Sequence, residues 1–332
     1  MGQSGAAAHP LDLGDVRQAA DRLRGVVVRT PLLENPDVNA MLGGRLLIKA
    51  ECAQRTGAFK IRGAYNRIAQ MSADERARGA ITYSSGNHAL GVARAALLLG
   101  SSALIVMPSD APQAKIDAVR ALGAEVVTFE RDSDMSDDVV ARIQAQTGRI
   151  IVPPSADARV LAGAGTAAVE MFEQADALGA APDAVLIPCG GGGLTAATAV
   201  VADALAPDAR VYAVEPELFD DTRRSLNAGT RVANPKGRRT ICDSIMTPIP
   251  NEVTFPINLD LLAGGLAASD AQVRDAMRFA YEHFRIVVEP GAAVGIAAVL
   301  HGMVAIKDRV VATVVTGGNV DPARFCDLLQ AG

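Results

Sequence analysis

The chain reads as an α/β protein built on two open, mostly parallel sheets, and three observations predict this. Short apolar runs end in Gly, Pro or Ser and lead into longer Ala-rich stretches of helical period, the alternation expected of strand-helix units in a parallel sheet. Hydrophobic residues make up 49% of the chain and charged residues 21%, with no Trp and many Ala, Val and Gly, which is a globular α/β composition. The units also fall into two groups, as expected of a small domain over residues 83–147 inserted into a larger one formed by 1–82 and 148–332. An insertion of that kind leaves an interdomain cleft, a usual place for a ligand.

In chain order, the first unit is "AITYSS" from Ala80, followed by "GNHALGVARAALLLG". "SALIVMP" from Ser102 precedes "APQAKIDAVRALG", and "AEVVTF" from Ala124 precedes "MSDDVVARIQAQTG". A later series repeats the pattern, with "AVLIPC" before "GGGGLTAATAVVADALAP" and "ARVYAVEP" before "DDTRRSLNAG". The last strand is "VVATVVT" from Val310, ending at "GGN".

Several function classes are excluded by composition. The formal net charge is −5 and the basic residues are spread out, with only a brief cluster at Lys236, Arg238 and Arg239, so there is no nucleic-acid footprint. No apolar run reaches the roughly 18 uncharged residues of a membrane span. Met1 to Asp15 lacks a basic segment followed by a hydrophobic one, so no secretory signal is expected, and the "GQSGAAAHP" opening reads as a frayed tail. Cys52, Cys189, Cys242 and Cys326 lie far apart with no CxxC spacing, which favours neither zinc nor disulfides and fits a reduced, cytoplasmic setting.

Four strand-to-helix junctions carry chemistry. In "PCGGGGLTAA", Gly190, Gly191, Gly192 and Gly193 remove every Cβ from a turn, so backbone N–H groups can converge on an anion, naturally a phosphate, at the helix start. The spacing is neither a Walker A nor a dinucleotide fingerprint, and the bland alternative is a tight turn without a ligand. "SSGNHALG" from Ser84 offers donors for a second anion such as a carboxylate, or else an ordinary N-cap by Ser84 or Ser85. "VVTGGN" sets a hydroxyl, Thr316, at the C-terminal end of a strand, where ligands collect in open parallel sheets. "EPGAAVGIAA" begins with Glu289 and Pro290, good helix-start chemistry in its own right. Against these stands "TGAFKIRGAYN", which places Lys60 among small and apolar residues. A desolvated lysine becomes a nucleophile for Schiff-base chemistry with a carbonyl cofactor, whereas a surface lysine with a packed stem does nothing of the kind.

The motifs "TGAFKIRGAYN", "SSGNHALGVA", "VLAGAGT", "PCGGGGL", "VEPELFDD", "ICDSI", "EPGAAVGIAA" and "TGGN" occur in this order from about Leu32 to Asn319. In that order they resemble the threonine/serine dehydratase and serine racemase group of fold-type II pyridoxal-phosphate enzymes, whose fold is like that of the tryptophan synthase β chain. The resemblance implies that Lys60 carries pyridoxal 5'-phosphate, with Phe59 beside the ring, Asn87 on the ring hydroxyl and Thr316 facing the pyridine nitrogen. It implies that Gly190–Gly193 with Leu194 bind the phosphate, that Glu289 belongs to the cofactor-binding set, and that Ser84, Ser85, Gly86, Asn87 and His88 hold the substrate carboxylate. The implied reaction is loss of water from a β-hydroxy amino acid such as L-threonine or L-serine, giving a 2-oxo acid and ammonia, with Lys60 as the base. A neutral Thr316 weakens the electron sink relative to a carboxylate and favours quick β-elimination.

Two details qualify that reading. Serine at Ser85, where threonine dehydratases commonly have alanine, matches the acid or base of serine racemases and keeps racemisation open, as it does a hydroxyaspartate dehydratase. Against racemisation, "RDSDMSDD" at 131–138 does not place an arginine where animal serine racemases bind substrate. The "EPELFDD" stretch matches the Mg2+ or Ca2+ site of the metal-activated members at Glu215, the Phe219 carbonyl and Asp221, with Asp220 as an alternative ligand or, if there is no metal, two solvated acids. The resemblance further implies a homodimer, and the end at Gly332 implies no isoleucine-controlled regulatory domain. The alternative from another class is a non-catalytic phosphate-binding α/β protein, which would not require Lys60.

Overall fold

The computed structural model describes residues 9–130 and 136–330. The opening read as a tail, through residue 8, and most of the 131–138 stretch lie outside the described residues. Among the described residues ten strands form two sheets: β1 (Leu32–Leu33), β2 (Arg45–Ala50), β3 (Ala80–Tyr83), β4 (Ala103–Pro108), β5 (Glu125–Phe129), β6 (Ile150–Ile151), β7 (Ala184–Pro188), β8 (Arg210–Pro216), β9 (Gly264–Ala268) and β10 (Val310–Val315). The six-stranded sheet has the order β1-β2-β10-β7-β8-β9 and the four-stranded sheet β5-β4-β3-β6. Every pairing is parallel except β1 with β2. The smaller sheet takes in β3 from Ala80 and β6 through Ile151, so it reaches beyond both ends of the expected span 83–147.

The central strands of the larger sheet are apolar throughout because both faces are covered. Along β2, Leu47 faces helices 13–23, 158–177 and 193–205, while Leu46 and Ile48 face helices 270–279 and 290–300. β10 alternates in the same way, with Ala312 and Val314 on the first face and Val311 and Val315 on the second. Each fully buried Leu or Ile contributes about 1.5–3 kcal/mol. On one face of the smaller sheet Ile105 and Met107 pack with residues of helices 60–69 and 87–98, and on the other Ile81 and Val106 pack with Val139 and Val140.

Parallel strands send their following loops to one edge. The "SSGN" loop after β3, the "SDAP" loop after β4, the glycine turn after β7 and the "TGGN" loop after β10 all leave C-terminal strand ends. Among the described residues no helix is long and apolar enough to cross a membrane.

Candidate active site

Lys60 opens the helix Lys60–Ala69, which packs between helices Asn87–Leu98 and Ala158–Ala177. The crossing with the latter is close because glycines face each other: a Cβ at Gly163 would lie 2.7 Å from the Gly63 Cα, and one at Gly63 2.7 Å from the Val160 carbonyl oxygen. Two residues beyond Lys60 the buried Arg62 donates to Glu51 at 2.8 Å and to Glu170 at 2.8 Å, and Glu170 also accepts from the buried Lys49. The preceding loop is tied to the end of β10, since Phe59 N–H donates to the Thr316 carbonyl at 3.1 Å and Gly318 N–H to the Gly57 carbonyl at 2.9 Å.

The Lys60 ammonium donates to the Pro154 carbonyl at 3.2 Å and sits 5.1 Å from the centre of the Phe59 ring. Burial lowers its pKa to about 8, against an opposing pull from Glu289, so a substantial fraction is neutral amine at mildly alkaline pH. Lys49 differs: its three protons go to the Thr30 carbonyl, Glu170 and Gln174 at 2.7–2.8 Å. That amine has no proton position left for chemistry.

The glycine turn is packed too tightly for side chains. A Cβ at Gly191 would meet Ser155 Oγ at 2.6 Å, and one at Gly192, whose φ is +80°, would meet Asn258 Nδ2 at 2.6 Å. Thr254 Oγ1 donates to the Gly191 carbonyl at 2.7 Å, and Thr195 Oγ1 to the Gly192 carbonyl at 2.8 Å. With its carbonyls tethered, the turn leads into helix Gly193–Leu205, which has no side-chain cap at its start and has Leu194 buried. Uncapped N–H groups behind a Cβ-free surface fit a phosphate.

The helix Asn87–Leu98 likewise starts without a side-chain cap, at Gly86. The alternative of an ordinary N-cap by Ser84 or Ser85 is not what forms; Ser84 Oγ instead accepts the Gly86 N–H at 3.2 Å, leaving the first turn open to an anion. Ser85 is half-buried in the same loop. Asn87 turns its side chain across to the other sheet, where Nδ2 donates to Glu289 at 2.6 Å and Oδ1 accepts from Asn319 at 2.8 Å. Glu289 does not use its carboxylate to cap its own helix. Burial pushes that carboxyl up to about 7, with the Asn87 hydrogen bond opposing. His88 is buried with Nε2 2.8 Å from the Val152 carbonyl, and burial holds its pKa down at about 3. Its ring is therefore neutral, with Nδ1 buried and without a hydrogen-bond partner. Thr316, buried just after β10, is tied to the residue before Lys60 by the Phe59 N–H on its carbonyl.

Glu215 and Asp221 are both fully buried, and the Asp221 charge acts on Glu215. Burial first and that charge second push Glu215 up to about 8, while burial pushes Asp221 up to about 6. Glu215 accepts the N–H groups of Thr222 and Arg223 at 2.8 Å, yet Asp221 Oδ2 has no hydrogen-bond partner. Asp221 Oδ1 accepts from Asn234 Nδ2 at 2.6 Å, so two buried carboxylates held by neutral donors, one with an orphan oxygen, fit a hard cation, and Phe219 ends the short turn between them. The alternative ligand Asp220 is consumed by Arg223 and Arg224. Among the described residues no trio of His, Cys, Asp or Glu converges for a metal, so a cation here would rest on two carboxylates with carbonyl and water oxygens.

Sequence reasoning missed Ser155, Thr254 and Asn258 around the glycine turn and Asn319 beneath Asn87. Thr254 and Asn258, four apart at the start of helix Phe255–Leu261, were open to discovery as a polar pair on one helical face.

The family described as pyridoxal-phosphate dependent enzyme matches residues 23–317. The chain is 39% identical over 307 residues to the beta-hydroxyaspartate dehydratase of Paracoccus denitrificans, covering 92% of this chain and 96% of that protein. It is 35% identical over 327 residues to the serine racemase of Oryza sativa subsp. indica, covering 96% and 95%. The solved structure of a T.th. threonine deaminase superposes with a TM-score of 0.89 at 40% identity, over 93% of this chain and 99% of that one. A match over that span, on a chain whose glycine turn and desolvated lysine already fit a phosphate-bearing carbonyl cofactor, shows that this chain belongs to the pyridoxal-phosphate-dependent enzymes.

Proposed function

We propose that the chain is an ammonia-lyase that removes water from a β-hydroxy amino acid, L-serine, L-threonine or 3-hydroxyaspartate, to yield a 2-oxo acid and ammonia. The observation that carries the reading is Lys60, a desolvated amine with its pKa lowered to about 8, whose Nζ donates to the Pro154 carbonyl next to Ser155, the residue packed on the glycine turn, and whose backbone lies against Gly91 of helix Asn87–Leu98. Relatives named hydroxyaspartate dehydratase and L-threonine ammonia-lyase support the reaction class.

Pyridoxal phosphate, held by Lys60, supplies the electron sink that makes the substrate Cα proton removable. The Gly190–Gly193 turn and Leu194 would hold its phosphate, and Phe59 and Thr316 would flank its ring. Asn87, with one Nδ2 proton on Glu289, has the second free for the ring hydroxyl. The backbone of Ser84–His88 would bind the substrate carboxylate at the open helix start. Once the substrate amine takes the place of Lys60 on the cofactor, the freed Lys60 Nζ would take the Cα proton, and the β-hydroxyl would leave as water by taking up one proton, so that return of the proton from Nζ balances the step. One further water then hydrolyses the enamine product, releasing ammonia. Glu215, the Phe219 carbonyl and Asp221 would hold Mg2+ or Ca2+, and the active form would be a homodimer.

Ser85 favours racemisation as a second reading, because its hydroxyl lies in the loop that would hold the substrate and relatives named serine racemase share the fold. Product analysis with L-serine, D-serine, L-threonine and threo-3-hydroxyaspartate tests the proposal. Stoichiometric 2-oxo acid and ammonia are expected, and D-serine without 2-oxo acid would overturn it.

A further inference from the structure

We propose that Arg67 and Asp157 are positioning residues whose ion pair fixes the 152–157 loop, so that the Pro154 carbonyl holds the freed Lys60 amine and Ser155 backs the glycine turn. The inference rests on the reading of Lys60 as the base above.

The loop joins β6 to helix Ala158–Ala177. Among the described residues no backbone hydrogen bond forms within it, so side chains from other elements set its path. His88 Nε2 meets the Val152 carbonyl at 2.8 Å, the Lys60 ammonium the Pro154 carbonyl at 3.2 Å, and Arg67 Nε the Asp157 carboxylate at 2.7 Å. Just beyond the loop, Asn66 Nδ2 donates to the Arg159 carbonyl at 2.6 Å. Lys60, Asn66 and Arg67 all belong to helix Lys60–Ala69, and Lys60 and Arg67 lie two turns apart on one face. That face carries both the reacting amine and the anchor of the loop that meets it.

A carbonyl oxygen only accepts, so Pro154 can take a hydrogen bond from Nζ as amine and as ammonium. The bond aims the lone pair of the amine and favours the charged form once the Cα proton has arrived. Ser155, the next residue, is packed on the glycine turn: its Oγ would lie 2.6 Å from a Cβ at Gly191, and its Cβ 3.0 Å from one at Gly193. A shift of the loop therefore reaches the amine and the phosphate turn together.

The pair is built for placement rather than stability. Its side chains are 10% and 21% exposed, so loss of either partner strands a charge in a low dielectric. Asp157 uses both oxygens, Oδ2 on Arg67 and Oδ1 on the Arg159 N–H at 2.7 Å, where it caps helix Ala158–Ala177. Arg67 does not use all of its guanidinium, since Nη1 is buried without a hydrogen-bond partner among the described residues. Arg62 carries no such penalty, with Nε, Nη1 and Nη2 all donating. A buried arginine kept with an idle donor is accounted for by what it holds, the carboxylate that ends the loop of the lysine.

Asp157→Asn and Arg67→Lys separate placement from stability. Asparagine keeps Oδ1 for the Arg159 N–H, and so the helix cap, but turns an N–H group toward Arg67 Nε and breaks the tie. Lysine removes the idle Nη1 and keeps a cation within reach of Asp157. The holoenzymes are compared at saturating cofactor on the faster of L-serine and L-threo-3-hydroxyaspartate, each with hydrogen or deuterium at Cα. Asp157→Asn is expected to lower kcat about tenfold to a hundredfold with KM within about threefold, and to raise the deuterium isotope effect because proton transfer to Lys60 becomes the slow step. Cofactor affinity, read by absorbance titration, should fall at least about threefold, and Arg67→Met should repeat all three changes. Arg67→Lys should retain at least about half of kcat. An Asp157→Asn enzyme with kcat within about threefold of wild type and the same isotope effect, or an Arg67→Lys enzyme impaired as much as Asp157→Asn, would overturn the positioning role. A wild-type enzyme that turns over neither substrate would instead overturn the reading of Lys60 as the base in this reaction, and unchanged cofactor affinity in Asp157→Asn would then still decide against the loop.

Discussion

Replacing Gly163 with alanine tests whether the helix crossing holds Lys60 in place. The added Cβ would lie 2.7 Å from the Gly63 Cα and 2.8 Å from the Arg62 carbonyl carbon. Carbon atoms sit comfortably at about 3.5–4.0 Å, so helix Lys60–Ala69 must retreat by roughly 1 Å. Both obstacles are backbone, and no side-chain rotation relieves them. Overpacking of this kind costs about 1–3 kcal/mol, of which the better helix propensity of alanine returns about 0.5–1 kcal/mol. The thermal midpoint should fall by up to about 4 °C. Activity should suffer more, because a misplacement of about 1 Å at a reacting group costs on the order of a hundredfold in rate. Gly165→Ala is the comparison: its Cβ would meet the Val16 methyl groups at 3.1 and 3.2 Å, side-chain ends that can give way. Calorimetry and steady-state kinetics on both variants decide. A Gly163→Ala enzyme with unchanged turnover and midpoint would refute the claim that this crossing positions the lysine.

Three further outcomes are expected. Gly192→Ala forces alanine into φ +80° and against Asn258 and Thr254, so cofactor affinity should drop at least about tenfold in an absorbance titration; unchanged affinity would remove the turn from the phosphate site. Glu215 and Asp221 have folded pKa values of about 8 and about 6, raised above their ordinary 4.5 and 3.8. Their protonation favours the fold, fully below about pH 4, and that contribution is lost as pH rises through 6 to 8. In chelator the midpoint should therefore fall from about pH 5.5 to about pH 8.5, and added Mg2+ or Ca2+ should raise it more at the higher pH; a cation effect that is absent, or larger at the lower pH, would count against the site. Ser85→Ala should suppress any D-serine formation or turnover more than L-threonine dehydration, read by chiral chromatography, and equal losses would deny Ser85 a separate role.

Much of the larger design was legible because it is local. The strands β3, β4, β5, β7 and β8 each carry an apolar run before a helical one, β10 carries one before "GGN", and Gly190–Gly193 announces a backbone-only surface. β2 escaped notice because Lys49 interrupts it and no regular helix follows at once; the lysine is tolerated only because Glu170, distant in sequence, folds over it. β1 and β6 are two residues long and β9 opens on two glycines, too little pattern to read. Glu289 read as a helix starter, since nothing in its neighbourhood foretells that Asn87 arrives from the other sheet. Asn258 against Gly192 and Lys115 against Asp243 are contacts of the same kind, set by the way the two sheets meet.

The most direct test is to reduce the holoenzyme with borohydride and map the modified peptide by mass spectrometry. A single pyridoxyl group on Lys60, absent in Lys60→Ala, is the expected result. Modification at Lys49, Lys115, Lys236 or Lys307 instead, or no adduct on a protein that still performs the elimination, would contradict the assignment of Lys60 as the cofactor-bearing amine.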